Sequence, residues 1–226
     1  MPMSNFVRPS ICCAMLLATL VAIVAPAPAA AEVNGFYRFP SLRGEQIWFT
    51  AEGDLWRVGT SGGKAERVTT HPGSETRAVV SPGNRWVAYS AAYEGPAEAY
   101  VMDVDGGVPK RLTWNGLAPQ VWQWTRDGRV LVTMPAASGQ PFTQLYSIDP
   151  KTTWVQPLPV VQASDGAISD DGKTLYFTRN GLRGDNVRGY RGGAMPRIWQ
   201  LALEGKGEAT PLLAGDVGTR RPMPYT

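Results

Sequence analysis

Four segments of this chain can be laid over one another: SLRGEQIWFT (41–50), SPGNRWVAYS (81–90), TRDGRVLVT (125–133) and SDDGKTLYFT (169–178). Their first residues lie 40, 44 and 44 positions apart. A fixed period of about 40–45 residues is the spacing of four-stranded propeller blades. Gly44, Asn84, Gly128 and Gly172 fall at one shared turn position. Positive φ is expected there, which glycine adopts freely and asparagine tolerates best among the other residues. Each unit then runs into an aromatic-bearing stretch: DLWRV (54–58), EAYVM (98–102), QLYSI (144–148) and RIWQL (197–201). Trp56, Tyr100, Tyr146 and Trp199 correspond to one another and are expected to fill the space between blades. A hairpin and a last strand close each unit, clearest in GGKAERVTT (62–70) and GGVPKRLTW (106–114).

Beyond residue 31 no long apolar pattern of 3.6-residue period exists. Short β-branched and aromatic runs recur between Gly, Pro, Asp and Asn, which predicts an all-β chain. The expected fold is a partial β-propeller of four-stranded blades, near residues 36–70, 76–114, 120–160 and 165–214. In each blade an inner strand ends at the Ser or Thr that opens the aligned segment, and three strands follow outward. The final RRPMPYT (220–226) is expected to be the first strand of a fifth blade. Closed propellers typically have about four to eight blades, and closure removes exposed sheet edges. Residues 32–226 are therefore expected to be a truncated propeller portion of a longer protein. With open edges the isolated chain is expected to self-associate or fold poorly beside one extended by two blades.

Residues 1–31 are expected to stand outside this fold. Arg8 precedes the apolar run ICCAMLLATLVAIVA (11–25), and Ala29-Ala30-Ala31 fits a small-residue cleavage site. The run is shorter than the roughly twenty residues a membrane span needs. A secretory signal peptide cut near Ala31 is the reading, with an uncleaved anchor as its alternative. Export to the periplasm, or secretion, is then expected, with no stable membrane span after cleavage. Both cysteines, Cys12 and Cys13, lie in this segment. Residues 32–226 can therefore hold no disulfide, thiolate metal site or cysteine nucleophile. The formal charge of +3 is too small a surplus to argue for a nucleic-acid partner.

Catalytic patterns are sought and not found. His71 is the one histidine, in the turn Thr70-His71-Pro72-Gly73, and no motif sets a nucleophile and an acid beside it. Ser61-Gly62-Gly63-Lys64 has the letters of a serine–lysine acyl enzyme but occupies a repeated hairpin turn, where that chemistry needs a helix start. Asp103-Val104-Asp105-Gly106 begins like a calcium loop, yet Trp114 stands where the closing bidentate Glu is required. Asp170-Asp171-Gly172 is explained by turn formation. No catalytic residue, metal site or cofactor is assigned.

One basic segment remains. Between Thr178 and Arg197 the fourth unit carries an insertion containing Arg179, Arg183, Arg188 and Arg191, where the first unit has only Ala51-Glu52-Gly53. Its core reads VRGYRGGAMPRIW (187–199). No helix start comes after it to make a phosphate cradle. Two readings stay open: a structured surface loop, or a basic lip handling an acidic or carboxylate group. On the second reading Arg188, Tyr190 and Arg191 are the candidate substrate-binding residues.

FYRFPSLRGEQIWFTAEGDLWRV (36–58), HPGSETRAVVSPGNRWVAYSAAYEGPAEAYVM (71–102) and GYRGGAMPRIW (189–199) together resemble the first propeller of the tricorn protease family. The resemblance covers nearly all of the chain after residue 31, with GYRGG before a tryptophan strand its most specific element. It implies a large serine peptidase with a six-bladed propeller, a second of seven blades, and a PDZ-containing catalytic region holding the serine and histidine. The propellers are implied to gate the entry of peptide substrates and the release of products, in a hexamer. Archaeal members are thought to offer paired arginines to the substrate between the second and third blades. Here Trp114-Asn115-Gly116-Leu117-Ala118-Pro119 has none, so that role is not transferred. The archaeal enzyme is cytoplasmic, which leaves the cytoplasm as the alternative location. The rival to a peptidase fragment is a TolB-type periplasmic propeller that binds proteins without protease activity, since the S-P-x-G-type repeat is common to both.

Overall fold

Among the described residues sixteen strands succeed one another without an intervening helix. The computed structural model describes residues 35–137, 139–181, 195–205, 207–214 and 218–224. The first sheet is β1 (Arg38–Arg43), β2 (Gln46–Ala51), β3 (Asp54–Gly59) and β4 (Glu66–Arg67). The second is β5 (Glu75–Val80), β6 (Trp86–Ala91), β7 (Glu98–Asp103) and β8 (Lys110–Arg111). The third is β9 (Gln120–Trp124), β10 (Val130–Pro135), β11 (Thr143–Ile148) and β12 (Val155–Pro157). The fourth is β13 (Asp165–Ile168), β14 (Thr174–Thr178), β15 (Ile198–Ala202) and β16 (Thr210–Pro211). Each sheet is an antiparallel meander in chain order. The first strands lie against one another, β1 on β5, β5 on β9 and β9 on β13, so they are the inner strands of a partial propeller.

The repeat is visible in single atoms. Gly44, Asn84, Gly128 and Gly172 all have positive φ, at 55°, 53°, 79° and 77°. The residues that close the aligned segments, Thr50, Ser90, Thr133 and Thr178, are all buried. One hydrogen bond recurs in every sheet: the N–H groups of Val68, Leu112, Leu158 and Leu212 donate to the carbonyls of Leu55, Ala99, Leu145 and Ile198, at 2.8, 2.8, 2.9 and 2.9 Å. It carries the short fourth strand beyond its ladder residues, so a two-residue pairing suffices to hold it.

The hydrophobic core lies between sheets, because each sheet is apolar on both faces. Trp48 and Leu55 of the first blade meet Val87, Tyr89 and Met102 of the second. Val101 and Leu112 meet Val132, Tyr146 and Ile148 of the third. Leu131 and Leu145 meet Leu175, Phe177 and Leu201 of the fourth. Of the four matched aromatics, Tyr100 and Tyr146 are buried in these layers, while Trp56 and Trp199 are half-buried. Polar staples set the spacing. Trp124 Nε1 donates to the Val79 carbonyl at 2.9 Å, joining blades two and three. Gln123 clamps the backbone of Ile168 on blade four, donating to its carbonyl at 2.9 Å and accepting from its N–H at 2.7 Å.

The described part of the stretch expected to open a fifth blade, 220–224, belongs to no ladder, and neither do 218 and 219 before it. The ladder partner of an inner strand is the second strand of its own blade, and none is present among the described residues. Residues 218–224 are nonetheless held against blade four. Thr219 N donates to the Pro196 carbonyl at 2.9 Å, and Thr219 Oγ1 accepts from Ile198 N at 2.9 Å.

Candidate functional site

Two acidic positions at the start of third strands define a repeated clip. In blade one, Asp54 is buried and accepts from Arg67 Nη2 at 2.5 Å. In blade two, Glu98 is buried and accepts from Arg111 Nη2 at 3.2 Å and from the Gly116 N–H at 2.7 Å. Arg67 and Arg111 each donate from Nε to the carbonyl two residues on, at Thr69 and Thr113. Those threonine hydroxyls accept from Leu55 N and Ala99 N, at 2.9 and 3.0 Å. The recurrence of Arg-x-Thr at 67–69 and 111–113 was the available sequence signal for this clip. In blade two every group of the clip has a partner, whereas in blade one Asp54 Oδ2 is paired and its buried Oδ1 has no hydrogen-bond partner.

The cleft between blades one and two, about 580 Å³, contains the one histidine. His71 Nδ1 accepts from the Gly73 N–H at 2.9 Å, and its ring lies 4.1 Å from that of Tyr93. Its contacts are thus a phenol ring and a backbone amide, which assemble no nucleophile–base pair. Beside it Glu75 is fully buried, accepting from the Tyr93 hydroxyl at 2.7 Å and from Thr69 Oγ1. Burial pushes the Glu75 carboxyl above the ordinary glutamate range, and donation from Thr69 and Tyr93 opposes the rise. Burial likewise raises the Tyr93 and Tyr89 phenols, which stay protonated. A folded-state value above the unfolded one favours the protonated chain. The stabilisation is complete below the unfolded value and is lost as pH rises through the folded one. Glu75→Gln cannot ionise, so its melting temperature relative to the native chain is expected to climb as pH rises above the ordinary glutamate value of about 4.3. A difference that stays flat or shrinks with pH would contradict this account of Glu75.

A second cavity, about 290 Å³, opens beside the inner strands of blades two to four. Arg77, Trp122, Asp165, Arg220 and Arg221 line it. Arg77 sits where the β5–β6 register shifts between Thr76 and Val79, and its own φ is 59°. This is a costly conformation for a side chain with a Cβ, of the kind that persists where the surroundings over-determine it. The bulge turns the guanidinium between two rings, 4.5 Å from the centre of Phe39 and 4.0 Å from Trp122. Trp122 is fixed in turn by donation from Nε1 to Thr133 Oγ1 at 2.8 Å. Burial and the nearby Arg221 lower Arg77 to about 10, against the pull of Asp165. Arg77 therefore remains cationic at neutral pH. Among the described residues it has no ion pair within 4 Å and no hydrogen-bond acceptor.

Asp165 stands at the start of β13, 6% exposed, opposite Thr178 in the ladder. Burial pushes its carboxyl upward, and contacts from Thr178 and the Arg221 backbone N–H hold it down. Its Oδ1 is buried with no hydrogen-bond partner. The candidate residues Arg188, Tyr190 and Arg191 lie outside the described residues. Gly181 and Pro196, on either side of 182–194, both border this cavity. Arg77 and Asp165 both stand four residues before their aligned segment, but Tyr37 and Val121 stand there in the other units, so no residue type recurs at that position to draw attention to them. Among the described residues no cluster of three or more His, Cys, Asp or Glu is placed to hold a metal.

The sequence model of the tricorn protease N-terminal beta propeller domain family matches residues 34–226. Tricorn protease homolog 1 of Streptomyces coelicolor is 33% identical over 170 residues, which are 73% of this chain and 16% of that protein. The tricorn protease homolog of Saccharolobus solfataricus is 27% identical over 181 residues, 77% of this chain and 17% of that protein. The chain thus spans about a sixth of the length of these curated relatives. The crystal structure of the tricorn protease superposes with a TM-score of 0.66 at 22% identity, over 82% of this chain and 19% of that one. TolB from Acinetobacter baumannii superposes with a TM-score of 0.63 at 18% identity, over 82% of this chain and 45% of that one. Both superpositions speak to the fold alone. Carried by the family match over the whole folded unit, the chain belongs to the tricorn protease N-terminal β-propeller family.

Proposed function

We propose that this chain is the N-terminal propeller portion of an exported tricorn-like serine peptidase, acting as a gate for peptide substrates and products while hydrolysis proceeds elsewhere in the protein. The observation that carries the reading is the family match over residues 34–226 in a chain that spans about a sixth of the Streptomyces coelicolor and Saccharolobus solfataricus relatives. The surroundings of His71 agree with it. A histidine that accepts a backbone N–H and stacks on a tyrosine serves the turn and not a nucleophile. The apolar run 11–25 before Ala29-Ala30-Ala31 supports export. Assembly into a hexamer accords with the resemblance to the tricorn family. The TolB-like fold is shared by the rival reading, a binding propeller without protease activity, and so does not choose between them.

Purified from a periplasmic extract, the chain is expected to begin near Glu32 and to turn over no fluorogenic peptide above the blank. Turnover that survives His71→Ala would contradict the placement of the chemistry outside this chain. A periplasmic product still beginning at Met1 would contradict cleavage.

A further inference from the structure

Asn-Gly pairs occur at 34–35, 115–116 and 180–181. Such a pair can react with itself, because the glycine nitrogen can attack the asparagine Cγ with no Cβ in the way. At 115–116, on the connection between blades two and three, the fold sets a group at each atom this reaction uses. Gly116 N, the attacking atom, donates its hydrogen to Glu98 Oε1 at 2.7 Å. Asn115 Oδ1, where negative charge develops, accepts from the Leu117 N–H at 3.1 Å. Asn115 Nδ2, the leaving nitrogen, donates at 3.3 Å to Met134 Sδ, a weak acceptor. Gly116 has a φ of 66°, and a Cβ there would meet only Pro96 Cγ, at 4.0 Å. Asn115 and Gly116 are exposed to water, while Glu98 is buried and also receives Arg111 Nη2 and Thr113 Oγ1.

We propose that Asn115 is a self-modification site, at which Glu98 is the general base for cyclisation to a succinimide and loss of ammonia. The bond from Gly116 N to Asn115 Cγ forms as Glu98 Oε1 takes the Gly116 proton. The Leu117 N–H stabilises the oxyanion on Oδ1. The Cγ–Nδ2 bond then breaks, and ammonia leaves with that proton, returned through water. A second step adds water to either carbonyl of the imide and gives aspartate or isoaspartate at 115. In sum, one asparagine and one water become one acidic residue and one ammonia, with no change of oxidation state. While the imide stands, Gly116 has no N–H to give Glu98, so the clip of blade two loses a donor. Hydrolysis then leaves a new carboxylate on the connection between blades two and three. The assignment stands whether or not the whole protein is a peptidase.

The full chain, folded or unfolded in urea, would be incubated near neutral pH in heavy-oxygen water and mapped by mass spectrometry. Uptake of label counts each deamidation, and electron-transfer fragmentation separates aspartate from isoaspartate. In the folded chain the 115–116 pair is expected to react at least about tenfold faster than in urea, a modest share of the roughly 10²–10⁴-fold a positioned base supplies. It is expected to lead the pairs at 34–35 and 180–181 when folded and to lose that lead in urea. Glu98→Gln, which cannot take the proton, is expected to lower the folded rate at 115 by about tenfold or more. If that variant does not fold, the folded and unfolded native chains decide alone. A folded chain that reacts at 115 no faster than the unfolded one overturns the proposal, since the Glu98 bond would then merely hold the nitrogen back. A lead that persists in urea overturns it by placing the cause in the local sequence. Folded Glu98→Gln reacting at the native rate overturns the role of the base.

Discussion

Leu145→Ala is expected to lower the unfolding free energy by about 2–5 kcal/mol, the range for a buried leucine whose site cannot collapse. For a chain of this size that corresponds to a fall in melting temperature of roughly 4–20 °C, at about 2–4 °C per kcal/mol. Leu145 is fully buried between blades three and four, beside Leu131, Leu175 and Phe177. It packs on the bare backbone of Gly166 in β13. A Cβ built there would stand 2.5 Å from Leu145 Cδ1 and 3.0 Å from the Tyr176 carbonyl. Gly166→Ala alone is therefore expected to destabilise by overpacking, about 1–3 kcal/mol. In the Leu145→Ala background the same methyl enters space already vacated. The double variant is expected to be less destabilised than the sum of the single changes, because residues in contact do not act independently. Strict additivity in denaturant unfolding would show that the two blades do not meet through this pair.

The pairing of Leu145 with Gly166 also marks where sequence reasoning stops. The architecture was legible because it repeats. Gly44, Asn84, Gly128 and Gly172 sit at one turn whose backbone needs positive φ, and the structure gives all four that conformation. Tyr100 and Tyr146 align because each faces a neighbouring blade. An alignment of repeats, though, averages over what differs between units, and the unpartnered groups lie in those differences. Arg77 stands two residues after Glu75 in a strand whose counterparts carry no matching pair. Its significance comes from a register shift and from rings at Phe39 and Trp122, which arrive from other blades. Asp165 becomes notable only once its Oδ1 is seen to lack a donor. Tertiary adjacency between residues that differ from unit to unit leaves no periodic trace. The charge-rich stretch around Arg188 and Arg191 drew the sequence reading because composition is visible locally, whereas the half-buried cation Arg77 stands alone among Thr76, Ala78, Val79 and Val80.

The division of labour between this propeller and a catalytic serine elsewhere is the central claim, and a covalent label tests it most directly. Serine peptidases with an activated nucleophile react with fluorophosphonates, and the adduct stays on the attacking oxygen. The full-length gene product would be labelled, digested and mapped by mass spectrometry, with peptidase activity measured in parallel. The account predicts one modified serine outside residues 32–226 and complete loss of peptide hydrolysis in step with labelling. A modified serine within residues 32–226, or a full-length product with neither label nor activity, would contradict it.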